Sequence, residues 1–187
     1  MFLSSSDVRL LVSPLREVVD FVVKEGFDVI QTYRHPALQR VFFKQGRFSL
    51  QVVNREREKL GLKPLKEFEN VVITKTEKSR HCICLAFDVR YAGQNHKENR
   101  HVLEYYTEVA RKVIARFHWI NAGALWASFR DYGHYELSLD HYTHYRFMPE
   151  HKRILDEFFQ MSESVQSLED ALNLCSFVEK FLEDFKA

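Results

Sequence analysis

Two histidines and one aspartate occur in segments whose spacing could assemble a metal site. His81 precedes Asp88 by seven residues, and His134 lies in a second segment further along the chain. Two imidazoles and one carboxylate suit tetrahedral zinc, with the fourth position left for water as in catalytic sites. The same spacing is also typical of ordinary hydrogen-bonded polar residues, so taken alone it leaves both interpretations open.

Alternation of side chains predicts that these residues meet on one face of a sheet. If Leu85, Phe87 and Val89 face the core, then Asp88 faces a cleft, with the small side chain of Ala86 beside it.

The segment around His134 has the same pattern. Tyr135, Leu137 and Leu139 form one face of a predicted strand, and His134 and Glu136 form the other. The second imidazole therefore also faces away from the core.

The remaining sequence predicts the elements that hold these strands in place. They are a helix that follows the N-cap candidates Ser4–Asp7 and ends at Gly26, a strand at Phe27–Tyr33, a helix from Pro36 to about Gln45, strands at Val71–Thr76, Cys84–Tyr91 and His134–Leu139, a helix at Glu98–Phe117, and helices from Pro149 onward. Residues 47–70 indicate a surface loop with some helix. The fold class is α+β, a small, mainly antiparallel sheet flanked by helices with a C-terminal helical extension.

Length and composition indicate one globular domain over residues 1–187. Its core is expected at about residues 7–140, and its C-terminal helices are expected at 149–187. The 27 basic and 26 acidic side chains nearly cancel, which argues against nucleic-acid binding. The three cysteines form no disulfide framework and are expected to be free thiols. No run reaches ~18 apolar residues and the start lacks a signal-peptide pattern, so we expect no membrane span and synthesis in the cytoplasm.

The segment from Ser79 to Asp88 resembles a known peptidase motif. It is similar to the Ser-x-His-x-x-Gly-x-Ala-x-Asp motif of the D-Ala-D-Ala carboxypeptidase family, with Ser79, His81, Ala86 and Asp88 matching. That family is related to the vancomycin-resistance dipeptidases and to the phage L-alanyl-D-glutamate endopeptidases. The family's glycine is Cys84 here, so the loop between the ligands is expected to differ locally, because glycine often serves close approach or positive φ.

Two further segments resemble the endopeptidase branch and occur in that family's order. The segment from Trp126 to Glu136 is similar to its Trp…Phe-x-Asp-x-x-His-Phe-Glu block, and Tyr33-Arg34, Gln39 and Gln45-Gly46-Arg47 are similar to its Gly-Tyr-Arg-Ser…Gln…Gln-Gly-Arg segment. The three matches together span about residues 7–139. The second glycine usual before the tryptophan is absent, which leaves the shape of the substrate cleft open.

The resemblance implies the roles of the site residues. One zinc ion per chain is expected on His81, Asp88 and His134, with Asp131 as general base and Arg34 stabilising negative charge. The expected substrate contacts, which lie in the three matched segments, are Ser79, Gln39 and Trp126.

Four alternatives stay open for individual residues. Glu136 is the second candidate for the base, although a salt-bridging role behind the ligands is favoured. Cys82 and Cys84 share strand parity with Asp88, so either thiol could face the metal instead of packing as a small apolar group. His141 and His144 could form a second metal pair, against which the turn character of the segment argues. The C-terminal helices could complete the core or present a docking face.

The expected function is hydrolysis of peptide bonds in bacterial cell-wall stem peptides or muropeptides, with L-alanyl-D-glutamate cleavage favoured. Alternatives are a D-Ala-D-Ala carboxypeptidase or dipeptidase, and a zinc-binding module without activity, as in the related Hedgehog signalling domains. A phage-type lysin that acts on the wall after release and a cytoplasmic enzyme that trims recycled peptides are both compatible with the sequence.

Overall fold

The computed structural model describes residues 1–92, 100–142 and 149–184, and they form an α+β fold. The strands are β1 (Ser4–Ser5), β2 (Phe27–Gln31), β3 (Tyr33–Arg34), β4 (Ala86–Tyr91), β5 (Ile120–Ala122) and β6 (His134–Leu137). The helices are α1 (Ser13–Lys24), α2 (Pro36–Lys44), α3 (Leu50–Lys59), α4 (Arg100–Arg116), α5 (Leu139–Tyr142), α6 (Pro149–Glu163) and α7 (Leu168–Asp184). Short 3-10 helices cover Val8–Leu10, Glu67–Glu69, Arg80–Ile83 and Gly123–Leu125. The predicted fold class is confirmed.

The central sheet has four antiparallel strands in the order β2-β4-β6-β5. Phe87 and Val89 of β4 and Tyr135 and Leu137 of β6 are buried in the hydrophobic core, which also contains apolar residues of α1 and α4. The rings of Phe87 and Tyr135 stack at 5.3 Å between centroids. The predicted alternation is therefore confirmed, and the opposite face of β4 and β6 is left for polar side chains.

The first helix begins later than predicted. Asp7 caps the 3-10 helix Val8–Leu10 by accepting a hydrogen bond from the Arg9 amide, and α1 starts only at Ser13. Proline has no amide hydrogen and disfavours helical conformation in the residue before it, so Pro14 belongs in the first turn of a helix. The sequence thus allows α1 to begin just before Pro14 but not to run through it from residue 4.

The strand predicted for Phe27–Tyr33 is divided in two at Thr32. The Thr32 hydroxyl donates to the backbone oxygens of Ser5 at 3.1 Å and Asp7 at 2.8 Å. These bonds draw the chain out of the central sheet, and β3 pairs instead with β1 in a separate two-stranded sheet. Arg34 therefore lies at the end of a strand, directly before α2.

The strand predicted at residues 71–76 is wrong. Val72 and Ile73 are exposed, and the segment belongs to no sheet. It is held by side chains instead, since the Gln39 amide donates to the Thr76 backbone oxygen at 2.6 Å. Its β-branched residues favour a strand locally, but the segment pairs with none of the described strands.

Other boundaries shift by a few residues for local reasons. The strand predicted from Cys84 begins at Ala86, because Cys84 adopts a left-handed conformation with φ of 62°. The strand predicted through Leu139 ends at Leu137, because Leu139 starts α5. The short strand β5 was not predicted. The helix predicted at residues 98–117 is observed from Arg100, and residues 98 and 99 lie outside the described part of the chain.

The C-terminal helices pack onto the same core as the sheet. Leu174, Val178 and Leu182 of α7 are buried in the cluster that includes the α1 residues. Among the helices described, none combines the length and the apolar character that crossing a bilayer requires.

Gly46 provides a test of how the segment 71–76 is anchored. Gly46 and Gly61 both have positive φ, at +70° and +68°. A Cβ on Gly46 would lie 2.3 Å from the backbone nitrogen of Val72, whereas a Cβ on Gly61 would have no neighbour within 4 Å. Gly61→Ala should lower the free energy of unfolding by about 1–2 kcal/mol, the usual cost of a left-handed alanine, and Gly46→Ala should lower it by more. Denaturant titrations measure both, and equal losses would contradict the close packing at Gly46.

Candidate metal centre

One ring nitrogen from each of two histidines and one carboxylate oxygen meet at the edge of a cleft. His81 Nε2 lies 3.1 Å from Asp88 Oδ1, His134 Nδ1 lies 2.9 Å from the same oxygen, and the two nitrogens are 3.3 Å apart. Ligands bonded tetrahedrally to zinc at about 2.0–2.1 Å would be separated by about 3.3 Å. The donor set and its spacing therefore fit a metal ion, and the group is close enough to hold one.

The sheet register brings two of the three ligands together. Asp88 of β4 pairs directly with His134 of β6, and both side chains point away from the core. Residues directly opposite each other on antiparallel strands have Cβ atoms about 4.5–5.5 Å apart, a distance that one metal ion can bridge. The pairing of Phe87 with Tyr135 on the other face supports the same register.

The third ligand comes from the 3-10 helix that precedes β4. Ser79 caps this helix, its hydroxyl accepting from the His81 amide at 3.4 Å, and Cys84 ends it with its positive φ. The left-handed residue turns the chain from the helix into the strand within two residues. Cys84 therefore adopts a left-handed conformation, which glycine takes more readily than other residues.

Glu136 fixes the orientation of the His134 ring. Its Oε2 lies 3.2 Å from His134 Nε2, on the side of the ring opposite to Nδ1. A carboxylate bound to the outer nitrogen of a ligating histidine holds the ring and its tautomer in place. Glu136 thus lies behind the ligand group, and His134 presents Nδ1 to it.

The three candidate ligands form a charged cluster. Burial alone would lower the pKa of His134, but its hydrogen bonds to Asp88 and Glu136 raise that pKa to about 10. Burial would raise the pKa of Asp88, yet the neighbouring His81 and His134 hold it well below its usual range. Burial lowers the pKa of His81. At neutral pH, one histidine is thus positive, one is neutral and the carboxylate is negative.

The ligand group opens into a cleft of about 460 Å³. The cleft is also lined by Arg34, Ser79, Trp126 and Asp131, four of the five residues that were expected to act on the substrate. The Trp126 ring lies 5.4 Å from the His134 ring, centroid to centroid. Segments distant in sequence therefore share one concave surface.

Arg34 is held in the cleft by two glutamines. Its Nε donates to Gln31 Oε1 and its Nη1 donates to Gln39 Oε1, both at 2.8 Å, while Nη2 lies 3.4 Å from Asp88 Oδ2. The guanidinium also lies over the Phe42 ring, 5.2 Å from its centroid. These contacts fix the position of the arginine beside the candidate ligand Asp88.

Gln39 lies one layer behind the cleft. Its side chain is completely buried, so it is not placed to contact a substrate as the sequence suggested. It accepts from Arg34 and donates to Thr76, and so links the arginine to the segment 71–76. Gln31, which sequence reasoning missed, has a similar role. The alternation of residues along the strand did not indicate a role for Gln31, because the chain leaves the sheet immediately after this residue.

Asp131 lies at the rim of the cleft, on the turn before β6. Its amide donates to Gly123 O and its carbonyl accepts from the His134 amide, both at 3.2 Å. Its side chain is accessible to solvent, yet the protein packed around the carboxyl group and the charge of Asp88 raise its pKa. A raised pKa makes a carboxylate a stronger base, which suits proton transfer.

Neither Cys82 nor Cys84 belongs to the ligand group. Both thiols are free and buried in the core. Burial raises the pKa of Cys82 to about 12, and a hydrogen bond with Cys175 of α7 contributes most to the raised pKa of Cys84. Both residues were expected to share a strand face with Asp88, but Cys82 lies in a 3-10 helix and Cys84 lies at its left-handed end.

The proposed second histidine pair has no support from the described residues. His141 Nδ1 lies 3.2 Å from Ser138 Oγ, and His141 belongs to no group of three metal-ligating side chains in the described part of the chain. His144 lies outside the described residues.

No protein-family model matches this chain, and no curated protein matches it significantly.

Metal analysis tests the ligand assignment. The protein should bind about one divalent transition-metal ion per chain, and His81→Ala, Asp88→Ala or His134→Ala should weaken binding by more than about 100-fold, because each removes one of three ligands. His101→Ala is the matched control, since that histidine is exposed on α4. Elemental mass spectrometry and chelator competition measure occupancy and affinity, and full occupancy in the three ligand variants would contradict the assignment.

The raised pKa of His134 predicts a strong pH dependence. Ion binding requires the neutral ring, and this ring stays protonated up to about pH 10 without an ion. The apparent dissociation constant should therefore fall about tenfold per pH unit between pH 7 and 9. Glu136→Gln removes one of the two carboxylates that raise this pKa and should flatten the slope. A wild-type affinity that does not change over this range would rule out the charged cluster.

Proposed function

We propose that this protein is a zinc-dependent peptidase that cleaves stem peptides of the bacterial cell wall. The observation that carries the proposal is the meeting of the three peptidase-like segments in one cleft. Arg34 from the first, His81 and Asp88 from the second, and Asp131 and His134 from the third all line it. The order of these segments and the residue types at the site support membership of the family of D-Ala-D-Ala carboxypeptidases and L-alanyl-D-glutamate endopeptidases.

Zinc is the metal that the donor set favours. Two imidazoles and one carboxylate would hold it through His81, His134 and Asp88, and three protein ligands are typical of catalytic zinc sites. When bound, zinc would lower the pKa of a water molecule and polarise a substrate carbonyl. The cleft beside the ligands gives a peptide access to that position.

Asp131 is the proposed general base and acid. It lies beside the ligand group without belonging to it, close enough for the charges of Asp88 and His134 to affect its pKa. Its carboxylate would take a proton from the attacking water and later deliver one to the leaving amine. Glu136 is less suited to this role, because its carboxylate is engaged by His134 Nε2.

Arg34 is the proposed group that stabilises negative charge during the reaction. Gln31 and Gln39 hold its guanidinium in place, so little side-chain entropy is lost when it meets a substrate. It would donate to the substrate oxygen that becomes negative in the tetrahedral transition state. Gln39 acts as a positioning residue in this scheme, while Ser79 and Trp126 line the surface that a peptide would contact.

Cleavage after L-alanine in L-alanyl-D-glutamate is the proposed specificity. It rests on the similarity of the segment from Trp126 to Glu136 to the endopeptidase branch, including the aspartate three residues before the last histidine. Digestion of defined muropeptides, with the new termini identified by mass spectrometry, tests activity and the bond cleaved at once.

Substitution of Asp131 should separate catalysis from metal binding. Asp131→Asn keeps the size of the side chain but cannot accept a proton, so zinc content should hold while turnover falls by about 10²–10⁴. Arg34→Ala should lower kcat more than it raises KM, because its interaction forms mainly in the transition state. Asp28→Asn, on the exposed side of β2, is the control and should leave zinc content and turnover unchanged.

Two outcomes would overturn parts of this proposal. A nearly fully active Asp131→Asn variant together with an inactive Glu136→Gln variant that retains zinc would assign the base to Glu136. A parent protein that binds zinc but cleaves no muropeptide would favour a zinc-binding interaction module instead.

A further inference from the structure

Arg80 lines the cleft, and its guanidinium makes no hydrogen bond or ion pair with another described residue. Arg80 lies between the cap residue Ser79 and the ligand His81, and its side chain is only partly accessible. Its Nη1 atom is enclosed by protein and has no hydrogen-bond partner. No hydrogen bond or ion pair joins this guanidinium to another described residue, although five N–H donors are available.

Burial of an unpaired guanidinium is unfavourable, and the nearby carboxylates relieve it only in part. Burial lowers the pKa of Arg80, and the charges of Glu136 and Asp140 oppose that shift from beyond contact distance. Glu136 is already hydrogen-bonded to His134. An arginine remains charged at any ordinary pH, so an anion that entered the cleft would gain a strong interaction with Arg80.

The other cations of the cleft already have partners within the protein. Arg34 is bonded to Gln31 and Gln39, Lys78 forms an ion pair with Asp156, and the Lys75 ammonium lies 5.0 Å from the centroid of the Phe129 ring.

The carboxylates of the cleft are mostly committed as well. Asp88 belongs to the ligand group and Glu136 is bound to His134, which leaves Asp131 at the rim. Arg80 is therefore the partly buried cation of the cleft that forms neither a hydrogen bond nor an ion pair with another described residue.

We propose that Arg80 binds a carboxylate of the substrate and makes the protein selective for peptides with a free carboxylate near the bond that is cleaved. The assumption that the ligand is a peptide rests on the function proposed above. The recognition itself does not, because it depends on the charge and position of Arg80 and can be measured without turnover. Arg80 would be a specificity-determining residue, distinct from Arg34, which lies beside Asp88.

A binding experiment can test this proposal separately from catalysis. The probes are L-alanyl-D-glutamate and its diamide, which differ only in the charged carboxylates. The protein is the zinc-loaded Asp131→Asn variant, in which hydrolysis should be slow, and calorimetry gives both dissociation constants. The acid should bind about 10- to 100-fold more tightly than the diamide, the usual range for a hydrogen bond to a charged group.

Substitution of Arg80 should abolish this preference. In the same background, Arg80→Gln should reduce it to within about threefold, and Arg80→Lys should restore part of it because the charge returns without the planar fork. Arg55→Gln, which removes an exposed arginine of α3, should leave the preference intact. The comparison between variants also cancels any direct contact between a probe carboxylate and the metal.

The other possible results either contradict the role proposed for Arg80 or support it. An unchanged preference in Arg80→Gln, or no binding of either probe to the protein with Arg80 intact, would overturn the proposal. Loss of zinc from Arg80→Gln with no loss of preference in Arg80→Lys would indicate that Arg80 acts on Glu136 and His134 instead. A preference that depends on Arg80 in a protein that cleaves no peptide would support the recognition role and reject the peptidase function.

Discussion

The antiparallel register between β4 and β6 is the constraint on which the candidate site depends. It places Asp88 directly opposite His134 on one face and Phe87 opposite Tyr135 on the other. A slip of one residue would turn the ligands into the core and the aromatic rings into the cleft. Since the two rings are fully buried and stacked, the hydrophobic core opposes that slip. The geometry of the polar face is therefore determined by packing on the apolar face.

Prediction from sequence succeeded where the alternation of apolar and polar residues along a strand matched the two faces of the sheet. The alternation of Phe87 and Val89 with Asp88 was enough to orient one ligand, and the same pattern oriented His134. It failed where a single distant contact decides the backbone, as at Thr32, whose hydroxyl binds two carbonyls near the N-terminus and divides a strand. The alternation of residues around Thr32 gives no sign of a contact with residues so distant in sequence. The error was the reverse in the exposed segment that follows Asn70. Its β-branched residues favour a strand locally, so a strand was predicted where none forms.

The residues that hold the site in place were also harder to find than the candidate ligands. Gln31 and Gln39 hold Arg34 in place, and a glutamine in a strand or helix gives no sign of its partner until the tertiary fold is known. Position 84, where the similar peptidase motif has glycine and this chain has cysteine, was more informative. It signalled a special backbone position, and the positive φ there is where the chain turns from one ligand toward the next.

The way the candidate ligands are held implies that the fold would not depend on a bound ion. Small zinc domains take most of their folding free energy from the metal, because nothing else brings their ligands together. Here Asp88 and His134 lie on paired strands backed by a core, and the hydrogen bonds among the ligands and Glu136 satisfy much of the buried charge. An ion would then stabilise the protein only through its binding equilibrium, by an amount that rises with the logarithm of its free concentration. A donor group that the fold holds in place would also lose less conformational freedom when it bound an ion.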